Sequence, residues 1–501
     1  MTLYRHISTH AKERPTKIAL DWPGGQIAYA DLLQQVDEAT ELLREQGARI
    51  LAVDLENGPD WIVFDMALMQ SGICSIPLPP FFSASQLAHV LNVSGADAIL
   101  TDDPIRLRQR TGTLLGSTEM PVKVAGRTVF WVKTKLAGGL ASASIPANTC
   151  KITFTSGTTG EPKGVMLSWA QINRVVESLA GAVGMTTRDR HLALMPLSVL
   201  LENIAGVYTP LWAGATVVVR PVSQLGLQGS TAVEGRTMLD ALSQACATTA
   251  IFIPQTLQAT VEALEERRNT SMHLRFGAVG GAPVSRRLLD RAVNAGLPVF
   301  EGYGLSECGS VVCLNTPEAN RRGSVGKPLP HVRLQISPEG EVVVFDQPFV
   351  GYLGSEPDGQ GDWRTGDIGE VDKDGYLHLH GRRRNVFITA FGRNVAPEWV
   401  ERELTLEHTV SQAAVFGESR PYNVAILVTA AETMLDEIET AVARTNRTLP
   451  DYARVGRWIL ADEPFSPGNG ELTGTGRVRR ETLFARYAKR IESLYNEAEI
   501  S

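Results

Sequence analysis

The sequence predicts an α/β protein in which a large N-terminal domain of parallel α/β sheets, extended by a small β region, precedes a smaller, mobile C-terminal α+β domain. Three observations support this prediction. Apolar strand-like runs alternate with helix-like segments across the first 300 residues, and short connections separate them. Short strands around turn sequences follow from about residue 323. A second, shorter α/β alternation begins near residue 384.

The first 100 residues show the alternation most plainly. Apolar residues that recur every three or four positions indicate helices, and short apolar runs that end at Gly, Pro or Asp indicate strands. The elements expected here are helices at 28–47, 61–70 and 86–93, and strands at 50–55, 73–78 and 96–100. Residues 104–149 contain only one apolar patch, at 128–132, and we expect them to form a variable connection.

The alternation continues through the second half of the large domain. The expected elements are helices at 170–183, 203–212, 238–245 and 255–267, and strands at 191–195, 215–220, 249–253 and 274–279. A polar, Gly-rich excursion at 221–235 interrupts them. The last of these strands leads into Gly280-Gly281-Ala282-Pro283.

Turn sequences mark the β region that follows. Ser337-Pro338-Glu339-Gly340 and Lys373-Asp374-Gly375 predict two hairpins, of 332–336 with 341–345 and of 370–372 with 376–380. The C-terminal unit is expected to contain helices at 397–406, 434–446 and 481–497, and strands at 411–416, 425–430 and 458–461. We place the domain boundary so that the domains are 1–383 and 384–501, because an arginine-rich polar joint there suits a hinge.

Composition and charge narrow the class of protein. The 501 residues carry a formal charge of −7, which disfavours nucleic acid as a partner. The five cysteines are scattered, without the paired spacing of a zinc site, and indicate a reducing compartment. The N-terminus has no signal-like apolar core, and no apolar run reaches the ~18 residues of a transmembrane helix. We therefore expect a cytoplasmic protein with no transmembrane segment.

One stretch has the composition of a phosphate-binding loop. Four hydroxyls, three glycines and Lys163 fall within the ten residues from Thr155 to Gly164. Glycines let backbone N–H groups turn toward an anion, hydroxyls add donors and the lysine adds a full charge. The order of residues differs from a Walker A loop, and a plain Gly/Thr-rich linker is the alternative. The candidate phosphate ligands in the loop are Thr155, Ser156, Gly157, Thr158, Thr159 and Gly160.

A second candidate stretch is Glu301-Gly302-Tyr303-Gly304-Leu305-Ser306-Glu307. Glycines on both sides of Tyr303 allow a base to lie flat against its ring, and Glu307 offers oxygen ligands of the kind that Mg²⁺ prefers. A structural turn is the alternative. Further along, Asp367 follows a Gly turn and is placed to accept hydrogen bonds from both hydroxyls of a ribose, although such an Asp is also common in hairpin turns.

The fourth candidate stretch is the arginine run that follows Gly381, at the proposed joint between the domains. The alternative interpretation is that these arginines form an ordinary solvated face.

Together these motifs resemble those of the adenylate-forming superfamily, which includes acyl-CoA synthetases, carrier-protein adenylation domains and luciferases. The four strings occur in the family's order, and the resemblance covers essentially the whole chain. The segment Gly280 to Pro283 and the string Val395-Ala396-Pro397-Glu398 look most like the long-chain fatty acyl-CoA synthetase branch. So does the string from Pro196 to Asn203, although that branch usually has His where Val199 stands.

The resemblance implies a role for each motif. The loop and Lys163 hold the β- and γ-phosphates, Thr158 and Glu307 hold Mg²⁺, Tyr303 stacks on adenine and Asp367 fixes the ribose. The other residues that the resemblance places against the nucleotide are Gly281, Ala282, Gly304, Ser306 and Arg382. In the same way, Arg384 corresponds to the hinge, and the loop that contains Gly392 turns toward the channel of the thiol acceptor.

Two departures from the family pattern stand out. Asn385 replaces the usual Asp of the hinge motif. Arg477 occupies the position of the lysine that reaches the acyl carboxylate and α-phosphate in the family, and the surrounding loop contains no lysine. Because arginine is larger, planar and forked, this exchange is not conservative at a tight site. Either Arg477 does the lysine's work bidentately, or adenylation is slow.

The resemblance implies an acid–thiol ligase that uses ATP, Mg²⁺ and a carboxylic acid, most simply a fatty acid, with coenzyme A as acceptor. A carrier-protein pantetheine is the alternative acceptor. A catalytically weak protein that binds a nucleotide or acyl-adenylate is the alternative from another class. Ile204, Val207 and Tyr208, with residues 278–283, either line an apolar acid pocket or belong to the ordinary core.

Overall fold

Two large sheets form the framework of the N-terminal part of the protein, and a three-stranded sheet forms that of the C-terminal part. The computed structural model describes residues 2–136, 145–156, 162–228, 232–267, 272–345, 349–355, 362–429, 433–473 and 476–496. The predicted α/β class, with a large sheet-rich domain before a smaller one, is confirmed.

The helices lie between the sheets and on their outer faces. In chain order they are α1 Leu3–Glu13, α2 Tyr29–Gln46, α3 Pro59–Ser71, α4 Ala84–Ser94, α5 Pro104–Thr111, α6 Trp169–Ala182, α7 Thr209–Trp212, α8 Gly235–Gln244, α9 Pro254–Glu266, α10 Arg286–Asn294, α11 Pro397–Leu404, α12 Leu435–Asn446 and α13 Arg480–Asn496. A π-helical segment, Glu202–Tyr208, leads directly into α7. Gly47 ends α2 as predicted, since it adopts the left-handed φ of 66° that favours glycine.

The strands are mostly short, as is usual when helices separate them. In chain order they are β1 Ile18–Trp22, β2 Gly25–Ala28, β3 Ile50–Asp54, β4 Cys74–Pro77, β5 Ala98–Thr101, β6 Leu115–Val124, β7 Arg127–Thr134, β8 Thr149–Ser156, β9 Pro162–Ser168, β10 Arg190–Leu192, β11 Thr216–Val218, β12 Leu227–Gln228, β13 Ala232–Val233, β14 Thr249–Phe252, β15 Phe276–Val279, β16 Val299–Tyr303, β17 Cys313–Leu314, β18 Lys327–Pro328, β19 Arg333–Ile336, β20 Glu341–Phe345, β21 Gly351–Tyr352, β22 Trp363–Val371, β23 Leu377–Arg382, β24 Phe387–Ile388, β25 Asn394–Val395, β26 Val410–Phe416, β27 Asn423–Thr429 and β28 Val455–Leu460.

The two large sheets have parallel centres and antiparallel edges. One has the order β18-β17-β16-β15-β14-β10-β11-β1-β2, and the other has the order β21-β9-β8-β4-β3-β5-β7-β6. Their central strands are buried on both faces, as parallel strands covered by helices must be. One face packs into an apolar cluster that both sheets share, and the opposite face of each sheet packs into a cluster of its own. The two hairpins predicted in the β region form as β19 with β20 and β22 with β23, within one four-stranded sheet.

The expectation of a variable connection at 104–149 was wrong for most of its described residues. Pro104–Thr111 forms α5, and Leu115–Val124 pairs with Arg127–Thr134 at the edge of a sheet. In Leu115–Val124, five of the ten residues are exposed and only Leu115 and Val122 are buried, so its sequence lacks the apolar run of a buried strand. Sequence analysis also missed α1 and the β1–β2 hairpin.

Candidate active site

The candidate phosphate-binding stretch connects two antiparallel strands. Strands β8 and β9 pair so that Thr155 faces Lys163, and Ser156 faces Pro162 at the open end. The register therefore places the loop at the end of this ribbon. The expectations for Gly157, Thr158, Thr159 and Gly160 lie outside the described residues, and the roles of Thr155 and Ser156 stay predictions.

A tyrosine links Lys163 to Glu307. The Nζ of Lys163 lies 5.8 Å from the centre of the Tyr352 ring, within cation–π range. The Tyr352 hydroxyl donates to Oε1 of Glu307 at 2.6 Å. Gln171 donates to the backbone carbonyl of Glu307 at 2.7 Å, which fixes the turn that carries it. Sequence analysis missed Tyr352, because it belongs to no motif and reaches the site only through the pairing of β21 with β9.

Glu307 fits a magnesium ion that is held mainly by a nucleotide. Mg²⁺ in nucleotide enzymes uses one or two carboxylates together with substrate phosphates and water. No cluster of three or more His, Cys, Asp or Glu that could hold a metal occurs in the described parts of the chain. Glu307 is half-buried, so the residue is not sealed in the core. The donor set therefore suits an ion that arrives with ATP, and Thr158 stays a predicted second ligand.

Three predicted nucleotide residues meet although they come from separate segments. The Tyr303 hydroxyl donates to Oδ2 of Asp367 at 2.6 Å, and Nε of Arg382 lies 2.8 Å from Oδ1. Burial, and then the Asp367 charge, raises the pKa of Tyr303 well above its usual value. Each carboxylate oxygen has two lone pairs, so Asp367 retains acceptor capacity for ribose hydroxyls.

Glycines allow the backbone to pass close to the group of Tyr303, Asp367 and Arg382. A Cβ on Gly304 would lie 1.6 Å from the carbonyl oxygen of Ser310, so only glycine fits there. Gly281 has a φ of 80° and is exposed, and Ala282 beside it is half-buried. Both line one large cleft together with Tyr303, Asp367 and Arg382. Ser306 begins a short 3₁₀ turn that also carries Glu307. The nucleotide contacts of these residues stay predictions.

Arg477 reaches into this cleft from the C-terminal domain. Its Nη2 donates to the backbone carbonyl of Gly281 at 3.1 Å. Thr473 holds the base of the loop, because its hydroxyl accepts from the Arg477 N–H at 3.0 Å and its own N–H donates to the Arg477 carbonyl at 2.7 Å. Desolvation of the guanidinium in the cleft, and then the charge of Arg382, lowers the pKa of Arg477. The side chain is still open to solvent, and an arginine stays charged in such a setting.

Apolar side chains line part of the same cleft. They are Met195, Pro196, Val199, Val222, Leu227 and Ile253. A fully buried pair supports this part of the cleft: Glu202 lies 3.0 Å from His191 and accepts from the N–H of Met195 at 3.0 Å. Of the two interpretations of Ile204, Val207 and Tyr208, the core is the right one, since each has 0% of its surface exposed.

Glu301 lines the same cleft, and the sequence analysis included it in the second candidate stretch without giving it a role. Burial raises the pKa of its carboxyl to about 7, although the charges of Arg402 and Arg286 and the Val284 N–H act in the opposite direction. The folded protein therefore binds this proton more tightly than the unfolded chain does. Stability contributed by the protonated carboxyl is present at low pH and is lost as the pH rises to about 7.

We expect Glu301→Gln to stabilise the protein against unfolding by about 1 to 2 kcal/mol at about pH 8, a figure reduced for the partial solvent access of the site. The gain should disappear at about pH 4, where the carboxyl is protonated in both states. Urea unfolding at both pH values measures it. A gain that is equal at the two pH values would contradict the assignment of the effect to this proton.

Two sequence models of known families match the chain. The AMP-binding enzyme model matches residues 7–353, and the model of the AMP-binding enzyme C-terminal domain matches residues 385–499. The chain belongs to the AMP-binding enzyme family. The resemblance to the adenylate-forming superfamily is thereby confirmed. The boundary between residues 383 and 384 stays a prediction.

Relatives of this AMP-binding enzyme span most of its length. A long-chain-fatty-acid–CoA ligase of Mycobacterium bovis is 25% identical over 87% of this chain and 86% of its own. A 2-succinylbenzoate–CoA ligase of Bacillus subtilis is 26% identical over 81% of this chain and 83% of its own. A fatty-acid ligase branch is therefore present among the relatives.

Solved structures share the fold. An anthranilate CoA ligase in complex with anthranoyl-AMP superposes with a TM-score of 0.78, at 17% identity and 97% coverage of both chains. The o-succinylbenzoate CoA synthetase of Bacillus subtilis, in complex with its acyl-adenylate, has a TM-score of 0.76 at 22% identity and covers 96% of this chain and 98% of its own. Among the described helices of the AMP-binding enzyme, none has the length and apolar character needed to cross a membrane.

Proposed function

We propose that this AMP-binding enzyme activates an apolar carboxylic acid with ATP and then transfers the acyl group to the thiol of coenzyme A. It is an acid–thiol ligase of the AMP-forming class. The observation that carries the proposal is the contact of Arg477 with the carbonyl of Gly281, next to the group of Tyr303, Asp367 and Arg382. We therefore assign this cation from the second domain to the place where the nucleotide and the acid would meet.

The first step is an in-line displacement. An oxygen of the acid attacks the α-phosphorus of ATP, the bond from that phosphorus to the bridging oxygen breaks, and pyrophosphate leaves with the bonding pair. Such chemistry depends on positioning and on stabilising negative charge. We assign Lys163 to the leaving phosphates, Asp367 to the ribose and Arg477 to the charge that develops at the α-phosphate and carboxylate. Glu307 would hold Mg²⁺, which when bound would supply further charge neutralisation.

The second step forms the thioester. The thiol sulfur attacks the acyl carbon, the bond from that carbon to the phosphate oxygen breaks, AMP leaves, and the thiol proton passes to solvent. Coenzyme A is the acceptor in the names of the sequence relatives, which supports it over a carrier-protein pantetheine. We propose that the small domain rotates about Arg384 between the two steps.

The acid is proposed to be aliphatic or otherwise apolar. The cleft that Gly281 lines also contains the apolar side chains of Met195, Val199 and Val222, so a hydrocarbon chain would gain burial there. One of the sequence relatives is named for long-chain fatty acids, which agrees with this class. We place the enzyme in the cytoplasm, because all five of its cysteines are free thiols, as a reducing compartment requires.

The test is acid-dependent release of pyrophosphate, with hydroxylamine as the trap for the acyl-adenylate. Short, medium and long fatty acids and aryl acids are compared. Release with one class names the substrate, and repetition with coenzyme A or a pantetheine-loaded carrier protein identifies the acceptor. Folded protein that binds ATP but releases no pyrophosphate with any acid would overturn the proposal in favour of a protein that binds adenylates.

A further inference from the structure

A short segment of the C-terminal domain is embedded in the N-terminal domain. The segment runs from Glu403 to His408, at the end of α11 and just beyond it. Leu406 is 5% exposed and belongs to the apolar cluster built by α8, α9 and α10, on the other side of the domain boundary. We call residues 403–408 the docking segment.

Two carboxylates of the docking segment are buried against the start of α10. Glu403 is 7% exposed and accepts from the hydroxyl of Ser285 at 3.1 Å. Glu407 is 5% exposed and accepts from Arg287 at 3.2 Å. Buried carboxylates are costly unless they are hydrogen-bonded, so these contacts define one docked position.

Weaker contacts flank the carboxylates on the α9 side. The side chain of Gln258 donates to the backbone carbonyl of Thr405 at 3.4 Å, and His408 lies 3.7 Å from Glu262. The docking segment thus touches two helices of the N-terminal domain. Arg477, in contrast, makes a single side-chain hydrogen bond to the described residues of the N-terminal domain, at the Gly281 carbonyl, from the base of the loop that Thr473 closes. The position of Arg477 therefore depends on contacts made elsewhere.

Both carboxylates also have partners inside their own domain. Glu407 lies 2.9 Å from Nε of Arg444, and Glu403 lies 3.7 Å from Nε of Arg402. If the domains separate, each carboxylate keeps a cation and gains water. Undocking therefore leaves no orphaned charge, and the contact is suited to repeated breaking and remaking.

We propose that Glu403, Leu406 and Glu407 are positioning residues for adenylation, which hold the C-terminal domain where Arg477 reaches Gly281. This inference rests on the proposed two-step function. Weakening the contacts of the docking segment lowers the fraction of molecules in which Arg477 is at Gly281, so adenylation slows. Transfer from a preformed adenylate, which needs the domain to leave this position, does not slow.

The experiment measures the two half-reactions separately in the full-length protein. Arg287→Gln and Glu407→Gln should each lower the single-turnover rate of pyrophosphate release about tenfold, the effect of one such contact. Thioester formation from supplied acyl-adenylate and coenzyme A should be unchanged or faster. The double variant should be no slower than either single one, because both changes remove the same contact.

Arg291→Gln is the matched control. Arg291 also lies on α10 and pairs with a glutamate, but its partner Glu265, at 2.7 Å, belongs to the same domain. Neither half-reaction should change in this control. An equal loss in both half-reactions, or no loss in either, for Arg287→Gln and Glu407→Gln would overturn the positioning role.

Hydrogen exchange separates this inference from the proposed function. In the protein without substrates, Arg287→Gln and Glu407→Gln should speed amide exchange in the docking segment and in the first turn of α10, and Arg291→Gln should not speed exchange in the docking segment. A wild-type protein that released no pyrophosphate would overturn the proposed function. The rates of amide exchange would still test whether the docking segment holds the two domains together. Unchanged exchange in both variants would overturn the docking role.

Discussion

Replacing Arg477 with alanine should slow acyl-adenylate formation by about 10²- to 10³-fold, the usual cost of removing one group that stabilises developing charge. Arg477 is held at the Gly281 carbonyl beside Arg382 and Asp367, so its charge lies where the α-phosphate is expected. Thioester formation from a supplied adenylate should change much less. Single-turnover pyrophosphate release and thioester formation, each followed alone, measure the two effects.

Arg477→Lys distinguishes the two hypotheses for this departure from the family pattern. In the structure, Nη2 is used by the Gly281 carbonyl, which leaves Nη1 and Nε of the same planar group for substrate oxygens. A lysine cannot present a fixed fork, so we expect adenylation to fall by about tenfold. A large gain would instead show that arginine impairs the reaction. Arg447→Ala, on an exposed part of the same domain, is the control and should change nothing.

The alternation of strands and helices was sufficient to predict the fold class, because buried parallel strands and their covering helices have opposite sequence patterns. The pattern was not informative where an element is largely polar. Strand β6 exposes much of its surface, and α1 buries only Leu3, Ile7 and Ala11. Such elements are stabilised by contacts with distant segments, which one sequence does not reveal.

The motifs identified Tyr303, Asp367 and Arg382, and the structure brings these residues within hydrogen-bonding distance. Their nucleotide contacts stay predictions. Sequence analysis missed Tyr352 and gave Glu301 no role for a physical reason: the first reaches the site by sheet pairing, and the second is affected by burial beside the other domain. Lys151 escaped notice as well, since it stands in the apolar strand that leads into the phosphate-binding stretch.

Lys151 is the centre of a fully buried polar network. Its Nζ donates to Asp65 at 2.8 Å, to the Tyr208 hydroxyl at 2.9 Å and to Oδ1 of Asn203. Asp65 in turn accepts from the side chains of Tyr208 and Asn203. The three ammonium donors are therefore matched by three acceptors. The network joins β8, α3 and the π-helical segment Glu202–Tyr208.

Lys151→Met should destabilise the N-terminal domain by about 3 to 5 kcal/mol, the usual cost of removing one partner of a buried ion pair. The methionine fills most of the space, so the loss comes mainly from the uncompensated charge of Asp65. Urea unfolding of the full chain, followed by tryptophan fluorescence, measures the effect. Trp61 is a suitable reporter, because Nζ of Lys151 lies 5.8 Å from the centre of its ring.

A second substitution tests whether charge is the cause. Adding Asp65→Asn to Lys151→Met removes the orphaned carboxylate and should restore most of the lost stability, since an uncharged network can be nearly as stable as a buried pair. Lys133→Met, at an exposed position in the same sheet, should change stability by no more than about 0.5 kcal/mol. If the double variant were as unstable as Lys151→Met alone, the destabilisation would come from lost packing, and the buried charge pair would not be its source.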